Sequence, residues 1–204
     1  MSNTDDRNLA CRTAPKDPER ALQFARRIPD HWFRAQALSC VARYTTGKQV
    51  EQLAREALRT ARQSEDAYKT TAVSAWPIRA LIECDRIQAA EAALKEVLQD
   101  IPQIQPLASR AEALALLWQA VFPAGNVFRD AVLKTITSCC DPDGHWRSAR
   151  LYRCVAWTFA SENTTTAKAF VEGMPDGKAK LTAMKLLRAG KAYPPREFFA
   201  DGRT

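Results

Sequence analysis

The stretch that decides the fold is Asp30–Tyr44, D-H-W-F-R-A-Q-A-L-S-C-V-A-R-Y, because it occurs twice. It returns 114 residues later as Gly144–Thr158, G-H-W-R-S-A-R-L-Y-R-C-V-A-W-T. Without gaps, His31/His145, Trp32/Trp146, Ala35/Ala149, Cys40/Cys154, Val41/Val155 and Ala42/Ala156 coincide. A weaker echo sets F-A-R-R-I-P-D from Phe24 against F-V-E-G-M-P-D from Phe170. Phe33, Ala37, Cys40, Val41 and Tyr44 keep the spacing of one helical face, and Pro29-Asp30 before them breaks one helix and caps the next. The recurring unit therefore reads as a helical hairpin.

Outward from this pair the same pattern continues. Residues 1–16 are polar and aperiodic, which predicts a loose N-terminal tail. Asp17-Pro18 is an N-cap followed by proline at the first helical position, and Ala21, Phe24, Ala25 and Ile28 line one face of the helix it opens. Val50, Leu53, Ala54, Ala57, Leu58 and Ala61 begin a second hairpin. Its partner helix, about residues 67–84, is expected to break beside Trp76 because Pro77 lies inside it. Asp85–Gln88 reads as a capping box before a third pair. The second helix of that pair, about 105–122, is apolar on most sides, so it should be covered by several neighbours, with Leu114 and Leu117 in the core. Phe128, Val132 and Ile136 mark a fourth pair, which the turn Asp141-Pro142-Asp143-Gly144 leads into the second copy of the opening stretch. Asn163-Thr164-Thr165 caps a fifth pair that ends at Gly190. Residues 192–204 read as a C-terminal tail whose Phe198-Phe199 docks back on the last hairpin.

Arg34, Lys69, Arg110, Ser148 and Lys180 take the same place in the five second helices, at spacings of 35, 41, 38 and 32 residues. That is the period of two-helix repeats, which stack because no single hairpin buries its own face. The expectation is an all-α chain without a sheet. One helical-repeat domain over residues 17–191 would hold about five antiparallel hairpins wound into a right-handed α-α superhelix, or solenoid. In this the chain resembles the tetratricopeptide and HEAT-like superfamily of α-solenoids over roughly residues 17–190, though the tetratricopeptide pattern W-x-x-L-G-x-x-Y is absent. The resemblance is one of architecture and carries over no functional residue.

An apolar content of 46% and a charged content of 26% are those of a soluble folded chain. The longest uncharged run, Ala113–Phe128, has 16 residues and contains Pro123 and Gly125, too short and too broken to span a bilayer. The N-terminus M-S-N-T-D-D-R-N lacks an apolar signal region, so a cytoplasmic location is expected. Six cysteines without a C-x-x-C read as reduced, mostly buried side chains.

Little in the chain points to catalysis. Its two histidines, His31 and His145, are equivalent repeat positions, and they read as helix-start residues packed beside their tryptophans. Cys139, Cys140, Asp141 and His145 would be the material for a metal site, but neighbouring cysteines on a helix point apart and zinc needs converging ligands. D-P-D-G lacks the alternating carboxylates and terminal glutamate of a calcium loop. No phosphate loop, dinucleotide fingerprint, nucleophile elbow or H-E-x-x-H is present. The expectation is a protein that is not an enzyme and carries no cofactor or metal.

Charge is more informative. The second helices hold thirteen basic against three acidic residues, whereas the first helices hold ten against eight. The excess gathers toward the C-terminus. Arg147, Arg150 and Arg153 form one ridge at i, i+3 spacing, and Lys178, Lys185 and Arg188 follow on the next second helix. Trp157, which replaces Arg43 of the first copy, joins them as a candidate exposed aromatic; the other four tryptophans read as core. A net charge of +7 favours an acidic partner. The expected function is a scaffold that binds an acidic protein or peptide through this basic surface. The alternative is a HEAT-like nucleic-acid-binding repeat that contacts DNA or RNA backbone, and no membrane partner is expected.

Overall fold

A computed structural model describes residues 2–199. All regular structure among the described residues is helical: twelve α-helices and two short 3-10 turns. They gather into two compact units, one of residues 2–100 with 197–199, the other of residues 101–196.

The first unit opens with α1 (Asn3–Thr13), in the stretch expected to be loose. Its start is a capping box: the Asp5 backbone N–H donates to Ser2 Oγ at 3.2 Å, and the Ser2 N–H donates back to the Asp5 carboxylate at 3.1 Å. Ala10, Cys11 and Ala14 are then buried as α1 packs on α2 (Pro18–Arg27) and α3 (His31–Ala42). The helix was missed because its buried face is made of small side chains among many polar ones, so it carries almost no amphipathic signal. Asp30 caps α3 by accepting from the Phe33 N–H at 3.1 Å, and every residue of 35–42 is buried. This central helix touches α1, α2, α4 (Lys48–Ala61) and α6 (Ala75–Glu83).

The expected break falls at Ser74 rather than at Trp76, between α5 (Ala67–Val73) and α6. That shift places Pro77 in the first turn of α6, where a helix needs no N–H. The capping box expected at Asp85 does not form. Asp85 has φ 56° and ends α6 instead, with the Arg86 N–H returning to the Leu81 carbonyl at 2.8 Å and the Asp85 N–H to Ile82 at 3.1 Å. Then α7 (Ile87–Asp100) packs on α6.

In the second unit a 3-10 turn (Ile101–Gln103) precedes α8 (Leu107–Val121), α9 (Asn126–Cys139), α10 (Trp146–Glu162), α11 (Thr164–Glu172) and α12 (Lys178–Arg188). Leu114, Leu117 and Trp118 are fully buried, as the all-round apolar pattern of α8 requires. Trp118 Nε1–H donates to Thr158 Oγ1 of α10 at 2.6 Å, and its ring packs against Phe122 and Phe159 at 5.4 and 5.2 Å. α10 is the centre of this unit and touches α8, α11 and α12.

The periodic basic residue of the second helices has a structural role. Arg34 donates to the carbonyls of Ile28 and Pro29, and Arg110 to those of Pro102, Ile104 and Cys139, so each closes the turn before its own helix. Lys180 pairs with Asp176 in the same place.

Candidate binding site

The repeated His–Trp stretch builds a groove in each unit. In the first unit a groove of about 440 Å³ is lined by Pro29, Asp30, His31, Trp32 and Phe33, with Ser64, Glu65 and Lys69 opposite. In the second, a groove of about 310 Å³ lies between α10 and α12, lined by Pro142, Asp143, His145, Trp146, Ala149 and Arg153, with Lys178, Ala179 and Thr182 opposite.

One substitution sets the local geometry of the second groove. Gly144 stands where the first copy has Asp30, so α10 lacks the carboxylate cap. His145 takes over: its Nδ1 accepts from the Arg147 N–H at 3.1 Å. Asp143 reaches across the groove instead and caps α12, accepting from the Ala179 N–H at 2.9 Å. A Cβ at position 177 would lie 1.8 Å from Asp143 Oδ2, so only glycine admits this crossing.

Trp146 is 59% exposed, the opposite of the core role expected of it. His145 lies 5.7 Å from it, and the guanidinium groups of Arg147 and Arg150 stand 5.1 and 5.9 Å from its ring centre. Both arginines also meet Glu112 of α8, Arg150 at 2.6 Å and Arg147 at 3.5 Å. The arginine ridge is therefore partly neutralised from a neighbouring helix. Arg153 and Lys178 line the groove, and their side chains make no hydrogen bond or ion pair among the described residues. Lys185 and Arg188 are exposed in the last turn of α12, where they complement the helix dipole, and do not line the groove.

Trp157 is half-buried and packs edge-on against Tyr193 at 4.9 Å. Its repeat counterpart Arg43, read from the sequence as an ordinary polar position, is 4% exposed. The exposed tryptophan of this unit is thus Trp146, not Trp157.

Among the described residues no group of three or more His, Cys, Asp or Glu could hold a metal ion. Burial pushes the Cys140 thiol up to about 11, with Cys139 adding to it, and the Tyr152 hydroxyl up to about 12. Neither group is an activated nucleophile. No helix among the described residues is long and apolar enough to cross a membrane. Compared with protein-family models, curated proteins and solved structures, the chain matches none.

Proposed function

We propose that this chain is a non-enzymatic α-solenoid scaffold that binds an acidic protein or peptide through the groove between α10 and α12. The solenoid reading is supported by the order of contacts within each unit, where second helices touch in series, α3 to α6 and α8 to α10 to α12. One observation carries the binding reading: an exposed Trp146 beside a groove whose Arg153 and Lys178 have no acidic partner among the described residues. An acidic side chain seated between these two cations gains charge-assisted hydrogen bonds from an arginine fork and a lysine point charge. The residue next to it can lie on the indole face.

A nucleic-acid ligand is the second reading, favoured by the open Trp146 ring, on which a base can stack. The charge count supports it less. Tight phosphate-backbone binding uses about 6–10 contacts, and Glu112 already draws on Arg147 and Arg150.

Tryptophan fluorescence and anisotropy distinguish the two, with an oligoglutamate peptide and a single-stranded oligonucleotide as probes at two salt concentrations. The peptide is expected to bind, and Arg153→Ala with Lys178→Ala to weaken it by about tenfold or more, the size of one lost charge-assisted contact. Binding of the oligonucleotide alone, with a steep salt slope, would overturn the peptide reading; binding of neither at low salt would overturn both.

A further inference from the structure

The first unit holds a second recognition surface, and a piece of this chain already lies on it. Residues 191–197 contain no helix, and all but Pro195 are exposed. Phe198 and Phe199 then turn into the unit. The Trp76 indole N–H donates to the Phe198 carbonyl at 3.0 Å, and the two rings meet edge to face at 5.0 Å. Trp32 continues the aromatic array, 6.0 Å from Trp76. Phe199, 8% exposed, covers the guanidinium of Arg43 at 4.2 Å. Arg43 itself is held from below by Glu83, which also takes Arg79.

We infer that this trough on α3 and α6 is a peptide-recognition site, and that residues 197–199 are an internal ligand displaced by an extended partner segment with two adjacent aromatic residues. The contacts are those by which one chain reads another: a backbone carbonyl held by an indole N–H, one ring against a tryptophan, a second ring over a cation. Two features make the internal ligand detachable. The strap before it is without secondary structure and, beyond the contacts of Tyr193 with Trp157, largely exposed, and such segments open locally at low free energy. The surface it leaves is not wholly apolar either, since water can hydrate the exposed face of Arg43 and lessen the penalty of opening. A partner segment must compete with a tethered one whose effective concentration is on the order of millimolar, so the site favours partners that are locally abundant or bind elsewhere on the chain as well.

The test uses the full chain. A labelled peptide of residues 192–204 is titrated against the native protein and against a variant carrying Phe198→Ala and Phe199→Ala. The variant is expected to bind the peptide at least about tenfold more tightly than the native chain, because its own ligand no longer competes. A peptide with both phenylalanines replaced by alanine should not bind. Trp76→Phe in the same background keeps the ring but removes the N–H, and should weaken the peptide several-fold while circular dichroism stays unchanged. If the double variant retains its helicity yet binds no better than the native chain, or binds the alanine peptide equally well, the inference fails. If the native chain self-associates with rising concentration and the double variant does not, the occupant is a second copy's tail, and the partner reading falls. Arg153→Ala and Lys178→Ala should leave this binding unchanged, which separates the trough from the α10–α12 groove.

Discussion

The two copies of the His–Trp stretch start α3 and α10 with nearly the same residues, yet they build different surfaces. In the first copy Trp32 is covered by Tyr68 at 6.4 Å and Trp76 at 6.0 Å, and Lys69 across the groove is paired with Glu65. In the second copy Trp146 is open, and the Lys178 ammonium across the groove has no partner among the described residues. The helix comes from the repeated sequence; whether its first tryptophan is core or surface comes from the next helix. α5 sets Tyr68 against Trp32, while α12 brings Lys178, Ala179 and Thr182 to the groove beside Trp146. Small side chains leave the ring uncovered. A repeat can thus keep its packing residues and acquire a ligand surface by changing only what faces them.

The largest expected effect lies in the packing that the comparison takes for granted. Leu117→Ala in α8 should destabilise the protein by about 2–5 kcal/mol, read by reversible denaturant unfolding. A loss under about 1 kcal/mol would mean that α8 does not support α10. The tryptophans break the comparison directly. Trp32→Ala should cost about 2 kcal/mol, less than the roughly 3–5 of a fully buried ring. Trp146→Ala should stay within about 0.5 kcal/mol while weakening the acidic-peptide probe. Equal losses at both sites would show that the two grooves are alike.

The caps sharpen the comparison further. Asp30→Ala and Asp143→Ala should each destabilise by about 1 kcal/mol, but in different places. Hydrogen exchange should quicken at the start of α3 in the first variant. In the second it should quicken at the start of α12, with the start of α10 unchanged because His145 caps it. A further effect is alkaline and belongs to the second unit. Burial raises the folded pKa of Cys140 to about 11, so its contribution is whole below the unfolded value of about 8.5. As pH rises past that value the unfolded chain loses the proton first, and stability falls until the folded thiol ionises near 11. Tyr152, raised to about 12, acts in the same direction at higher pH. Thermal melts from pH 8 to 11 should show the decline, and Cys140→Ala should flatten it.

The sequence alone showed that the chain is helical, where most helices start and stop, and that Leu114 and Leu117 of α8 are buried. These follow from apolar spacing, from Asp17 and Asn163 as caps and from Gly190 as a stop, all interactions within a few residues. It also showed that α3 and α10 are copies. Four things came only from contacts across space: that α1 packs on α2 and α3, that Glu112 answers Arg147 and Arg150, that Arg43 is buried while Trp146 is not, and that Phe198 and Phe199 lie on Trp76 and Arg43. Each depends on which side chain a separate helix or a distant segment brings within about 6 Å. Periodicity fixes the face a residue shares with its neighbours along the helix; it carries no information about what meets that face across space.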